Sequence, residues 1–297
     1  MNNYDTKSTL EKIPYFSIIT PTFNCADYID RSYRCLCAQG VQDWEWIVVD
    51  DGSTDNTKRI LDKISKVDKR VKVFTLPKNQ GRGYARNFAL RSCSGQGVVV
   101  WDVDDIYLPT RLGCIKNSFD EGYDFFCSYA LIVDVALNIK GARHFHNKNK
   151  GVFPSFVHPT LAFKSSLLAS IGYDENMRAG EDLALMIYLE NNFRGFYCDQ
   201  YLMLYVEDRE INLNKTIDML KSHENSLKKL ISSGVICLSN KQRFKLLFEL
   251  KIKYLILQML RLSPNLYLKS VSFRYIDNVM SSRLTGDHIL LFNEFHI

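Results

Sequence analysis

Residues 97–105 read GVVVWDVDD: an uncharged apolar run that breaks into three carboxylates within four positions. A short β-branched and aromatic run suits a strand buried on both faces, and such strands belong to parallel sheets covered by helices. Working back from it, the same signature recurs at 16–20 (FSIIT), Trp44–Asp50 (WEWIVVD) and Val71–Thr75 (VKVFT). Helical patterns separate the runs. Residues 28–37 put Ile29, Tyr33 and Leu36 on one face, with Asp27 as the expected N-cap. Asp55 is expected to cap a second helix with Ile60, Leu61, Ile64 and Val67 as its apolar face, and 83–92 make a third. Strand–helix alternation at this spacing predicts an α/β fold with a mostly parallel sheet flanked by helices, the ligand site lying beyond the carboxyl ends of the strands.

Those ends carry the unusual residues. Pro21-Thr22-Phe23-Asn24 follows the first strand, Asp50-Asp51-Gly52-Ser53 the second and Asp102-Val103-Asp104-Asp105 the fourth. Residues 110–210 read as shorter strands and irregular loops, among them Phe125–Val133 and the segment around His158, until a helix begins near Glu181. Beyond Asn212 the chain reads as helical, with 215–232 and 241–262 as the main helices, Gly234 between them and Pro264 after. Residues 213–297 hold 13 Lys/Arg against 6 Asp/Glu, so a basic tail follows a slightly acidic body. The opening MNNYDTKSTLEKIPYF has no basic segment leading into an apolar one. The expectation is a cytoplasmic chain without an export signal, its eight cysteines reduced and packed as small apolar residues.

Asp102-x-Asp104 reads either as turn residues or as two carboxylates facing one Mn²⁺ or Mg²⁺, hard ions that share their coordination with phosphate oxygens. Three like charges at one strand end repel unless something cationic joins them. Asp51 is a turn residue, or an acceptor for a nucleobase ring N–H, which uracil, thymine and guanine offer and cytosine and adenine do not; uridine is the first choice. Gly81 opens a helix entry that favours anions, with Arg86 and Asn87 in reach of a donor; a plain loop and cap is the alternative. Glu181 and Asp182 begin an apolar helix, where acidic residues suit the dipole. A carboxylate there can also serve as a general base beside an acceptor hydroxyl, and Asp182 is the best placed, with Glu181 beside it. His158 is read as an acceptor or phosphate contact against a structural alternative. His144 and His146 form only a weak metal pair.

The set SIITPTFN, IVVDDGSTDNT, NQGRGYARN, WDVDDIYLPTRL and AGEDLAL resembles, in order and spacing, the family 2 glycosyltransferases with the GT-A fold, over roughly residues 15–210. The resemblance implies inverting transfer, a divalent cation and a nucleotide-sugar donor. It makes Pro21, Thr22, Phe23 and Asp51 base and ribose contacts and puts Asp102 near the ribose and metal, with Val103 beside it at the donor. Asp104 becomes the direct metal ligand and Asp182 the catalytic base. The organisation it implies is an N-terminal extension (1–14), a catalytic domain (15–212) with a nucleotide-sugar half (15–109) and an acceptor half (110–212), and a basic helical C-terminal region (213–297).

Residues 241–261, KQRFKLLFELKIKYLILQMLR, have no uncharged stretch long enough to span a bilayer. An interfacial helix on anionic lipid, and a helix packed on the catalytic domain or in a homodimer, both fit. The expected partners are the donor and a glycan or lipid-linked acceptor of a bacterial surface polysaccharide, with no nucleic acid. A sugar nucleotidyltransferase would carry a Gly-rich basic loop after the first strand, and a Rossmann dehydrogenase G-x-G-x-x-G; residues 21–24 have neither. A non-catalytic binding module would have no use for both acidic sites.

Overall fold

The computed structural model describes residues 13–145, 154–177, 179–207 and 213–260. His146, Pro264 and residues 1–12, most of the expected extension, lie outside the described residues. Four parallel strands form the first half: β1 (Phe16–Thr22), β2 (Trp44–Asp50), β3 (Val71–Thr75) and β4 (Gly97–Val100). They are joined by α1 (Ala26–Cys37), α2 (Thr57–Val67) and α3 (Arg82–Arg91). β5 (Ile106–Tyr107), α4 (Arg111–Asp120), β6 (Phe125–Val133), β7 (Ile139–Arg143), β8 (Ala162–Lys164), α5 (Leu183–Asn192) and β9 (Gly195–Val206) complete the part built on the sheet. The strand order is β3-β2-β1-β4-β8-β6-β9-β5, with β7 on β6. β5, β7 and β8 run against the other strands.

Burial on both faces follows from the alternation along each strand. Trp44, Trp46 and Val48 of β2 face one core with Ile29 and Leu36 of α1, Leu61 of α2 and Ile115 of α4. Ile47 and Val49 face the opposite core with Ala85 and Ala89 of α3 and Leu185 and Leu189 of α5. Each fully buried large side chain contributes on the order of 1.5–3 kcal/mol, so a sheet covered on both sides is strongly held. The chain leaves β1 for β2 on one side and returns to β4 on the other. The crevice between the carboxyl ends of β1 and β4 is therefore the switch point where loops diverge and a ligand fits.

Several local expectations are corrected. Asp27 lies inside α1, whose N-cap position is Cys25. Asp55 precedes the N-cap of α2, Asn56, and its carboxylate accepts from the N–H groups of Thr57 at 2.9 Å and Ala26 at 3.2 Å, so it ties two helix starts together. Val67 faces solvent instead of the core. Phe125–Val133, expected among short strands and loops, is a nine-residue strand. All eight cysteines are free thiols.

The C-terminal helices α6 (Leu213–Ser232) and α7 (Asn240–Leu260) have their own small core, in which Leu227, Leu230, Leu246 and Leu250 pack around Ile187 of α5. No helix among the described residues is long and apolar enough to cross a membrane.

Candidate active site

The loops at the β1 and β2 ends are laced together. Asn24, at a positive φ of 51°, accepts from the Thr54 N–H at 2.8 Å through Oδ1, while its own N–H donates to Ser53 Oγ at 2.9 Å. The Asp51 N–H donates to the Thr22 carbonyl at 2.8 Å. The Asp51 carboxylate, 3% exposed, accepts from the N–H groups of Gln80 at 2.7 Å and Gly81 at 2.8 Å. Thr22, Asp51 and Gly81 thus form one wall of the crevice. Pro21 adjoins it, the Phe23 ring stands out at 43% exposure, and Val103 is buried. Gly81 has φ 97° and open space where a Cβ would stand. One oxygen of the buried Asp50 carboxylate has no hydrogen-bond partner, although the other accepts from Ser53 N–H at 3.0 Å. That unfilled acceptor lies at the same strand end.

α3 begins at this wall and carries Arg86 inward. The guanidinium, 2% exposed, donates through Nη2 to Asp102 Oδ1 at 2.9 Å and through Nη1 to Glu181 Oε1 at 2.7 Å. A carboxylate–guanidinium–carboxylate chain, buried at Arg86 and Glu181 and part-buried at Asp102, therefore joins the end of β4 to the start of α5, and losing one of its buried members costs on the order of 3–5 kcal/mol. Arg82 adds Nε at 3.3 Å to Glu181 Oε1. Burial pushes the Asp102 carboxyl up, but the Arg86 guanidinium outweighs it and holds Asp102 below the ordinary range.

The three acidic residues after β4 separate by environment. Asp102 is neutralised by Arg86. Asp105 turns inward to accept the Val206 N–H at 3.0 Å; burial, then Asp104 and Asp102, raise it well above the usual carboxylate range. Asp104 stays partly exposed, its carbonyl held by Arg31 Nη2 at 2.7 Å. The crowding expected of three like charges is thus relieved by the Arg86 pairing of Asp102 and by the inward turn of Asp105 onto the Val206 N–H.

Asp182 occupies the N-cap position of α5 without capping it, since its side chain bonds no helix N–H. Burial, then the Glu181 charge, raise its carboxyl to about 6. His158 Nδ1 stands 3.9 Å from Asp182 Oδ2, and its Nε2 is 2.9 Å from the Tyr173 hydroxyl. Burial and the neighbouring Arg86 lower His158 well below its usual range, so the ring is neutral. Asp182, His158, Arg86, Asp102 and Glu181 belong to one cluster. Arg86 and Gly81 on α3 connect it to the Asp51 wall.

Two expected contacts are placed differently. Asn87, expected at the donor, clamps the segment before Asp182: Nδ2 donates to the Tyr173 carbonyl at 3.0 Å, and Oδ1 accepts the Tyr173 N–H at 2.8 Å. Glu181, expected at the acceptor, is 2% exposed and saturated by Arg82 and Arg86, an internal counter-ion. Tyr173, Arg82 and Arg31 were not singled out from the sequence. Arg82 lies inside the NQGRGYARN stretch, but Arg31 sits mid-helix and Tyr173 in an ordinary IGYDEN segment, neither with a local signal. The His144 ring bonds the Tyr201 hydroxyl at 2.6 Å, and among the described residues no three His, Cys, Asp or Glu side chains form a ready metal cage.

Comparison with known proteins matches the glycosyl transferase family 2 model to residues 17–168, a range that ends before Asp182. A putative teichuronic acid biosynthesis glycosyltransferase of Bacillus subtilis is 40% identical over 99 residues, covering 33% of this chain and 39% of that one. The chondroitin synthase of Escherichia coli is 36% identical over 122 residues, covering 41% and 18%. The chain thus spans well under half the length of these curated relatives. Among solved structures, the mannosyltransferase PcManGT of Pyrobaculum calidifontis, in complex with GDP-Man and Mn²⁺, aligns over 95% of this chain and 82% of its own with a TM-score of 0.59 at 16% identity. Residues 1–349 of TarS from S. aureus, in complex with UDP, align over 71% and 64% with a TM-score of 0.54 at 23% identity. The sheet and its flanking helices are the GT-A fold.

Proposed function

The chain belongs to glycosyl transferase family 2, and we propose that it is an inverting glycosyltransferase, moving a sugar from a nucleoside diphosphate, uridine diphosphate first, to a hydroxyl of a glycan or lipid-linked saccharide in bacterial surface polysaccharide synthesis. The observation that carries this reading is the Asp102–Arg86–Glu181 chain, which couples the donor-side acidic pair to Asp182, a carboxyl raised to about 6. Two carboxylates in one neighbourhood with opposite shifts suit two roles, one permanently anionic and one able to exchange a proton near neutrality.

In this mechanism Asp51 receives the base N–H on the lone pairs its two backbone partners leave open. Phe23 lies against the base and Pro21 and Thr22 line the nucleoside. Asp182 takes the acceptor proton as the acceptor oxygen bonds to the anomeric carbon and the bond from that carbon to the diphosphate oxygen breaks on the opposite face. His158, neutral and fixed by Tyr173, holds the space beside the base without competing for the proton. Arg86 keeps Asp102 ionised and sets its position relative to α5. Asp102 and Asp104 fit a divalent ion: both are hard oxygen donors at the partly exposed end of β4, and Asp102 is held anionic. Bound there, Mn²⁺ or Mg²⁺ would neutralise charge on the leaving diphosphate.

Incubation with Mn²⁺ and a panel of nucleotide sugars should reveal slow hydrolysis of one uridine-linked donor that stops on chelation and resumes with added metal. Use of a guanosine donor alone would reassign the base. Consumption of no donor under any condition would remove the reading.

A further inference from the structure

α7 is apolar on two sides. At about 100° of rotation per residue, Leu246 and Leu250 fall on one side, where they pack into the small core with α6. Phe244, Phe248, Ile252, Leu255, Ile256 and Met259 fall on the other, and they are exposed by between 40% and 73%. A soluble helix ordinarily needs one apolar stripe, so the second stripe calls for a second partner. Phe244 and Phe248 stack with ring centroids 6.0 Å apart, which makes one continuous apolar ridge.

Charge decides what that partner is. α7 carries Lys241, Arg243, Lys245, Lys251 and Lys253 against the single acidic Glu249. By the same rotation, Lys251 borders the exposed stripe beside Phe244, and Lys245 falls within its other edge, between Ile252 and Ile256. A second copy docked on this stripe through a two-fold axis would set these cations against their own images. An anionic bilayer surface takes both features at once, the stripe entering the acyl boundary and the lysines meeting the headgroups.

We infer that the exposed face of α7 docks on anionic lipid and lays the catalytic part against the membrane on its acceptor side. The orientation follows from the packing. α6 is bound to the segment that leads into α5: Lys229 Nζ meets Asp174 Oδ2 at 2.9 Å, Ser226 Oγ meets Met177 Sδ at 3.4 Å, and Ile187 of α5 lies in the shared core. A membrane beneath α7 is therefore joined through α6 to the Asp182 end of α5. That arrangement suits an acceptor presented from the lipid surface. The docking itself does not depend on the transferase reading, because lipid binding is measured without a donor.

The test is flotation of the full chain with vesicles of phosphatidylcholine alone or mixed with phosphatidylglycerol, on the parent chain and on F248S/L255S and K245Q/K251Q. Parent protein should float only with the phosphatidylglycerol vesicles and come off as salt rises. Each double variant should weaken binding by roughly tenfold or more. The variants should keep the parent's circular dichroism and melting behaviour, because the altered side chains are exposed. No flotation with anionic vesicles, or flotation indifferent to both variants, overturns the inference. A parent that dimerises in ultracentrifugation without floating, and loses the dimer in F248S/L255S, also overturns it and assigns the stripe to a second copy.

Discussion

Arg86 holds two carboxylates at once, and the carboxyl just beyond them, Asp182, has the opposite acidity from Asp102. Removing the charge at Asp182 tests both chemistry and stability. Asp182→Asn should abolish transfer while calorimetry still detects nucleotide binding; undiminished turnover would take Asp182 out of the base role. In the parent, kcat/KM should rise with pH through about 6, as the base loses its proton. Stability should follow the raised pKa. Between the ordinary value of 3.8 and about 6 the folded state keeps a proton that the unfolded chain has released, so stability falls as pH rises through that window. Asp182→Asn should therefore be more stable than the parent above about pH 6, by on the order of 2–3 kcal/mol, and match it below about pH 4 in urea titrations. An unchanged difference across that range would show that Asp182 titrates normally. Asp182 and Arg86 were legible in the sequence as motif members. The split between Asp104 and Asp105 was not, because adjacent identical residues differ only in which way the turn points them.

α3 is the element that joins the two halves of the site, and its position rests on close backbone approach. A Cβ at Gly83 would meet the Asp174 carbonyl oxygen at 2.8 Å, and backbone there cannot yield as a flexible side chain would. Asn87 fastens the same segment from the next turn of the helix. Gly83→Ala should cost about 1–3 kcal/mol in denaturant midpoint and weaken donor affinity, because the displaced segment runs on to Glu181. Parent-like stability would mean that the helix and the segment separate without strain. At this scale β2 and β3 were read to their ends from their short apolar runs. β6 was read too irregularly: its pairing with β8, β7 and β9 supplies order that its own residues do not advertise. Helix starts were misread where a distant N–H captured the expected cap, as Asp55 shows by bonding Ala26.

The molecule as a whole is a two-faced sheet with a separate helical annex, held by a core distinct from the two that cover the sheet. Truncation in the annex should therefore act locally. Leu250→Ala should cost about 2–5 kcal/mol, read as faster hydrogen exchange in α6 and α7, with nucleotide affinity retained. Collapse of protection across β1 and β2 together with the annex would show one cooperative unit instead. The sequence alone determined the buried parallel strands, the polar loops that end them and the basic tail, because composition and periodicity are properties of neighbours along the chain. Only the tertiary structure decided that Arg86 joins Asp102 to Glu181, that Asn87 clamps Tyr173 and that Asp182 holds its proton to near neutrality. Arg86 and Glu181 are 95 positions apart, and Coulomb attraction and desolvation follow distance through space, not separation in sequence.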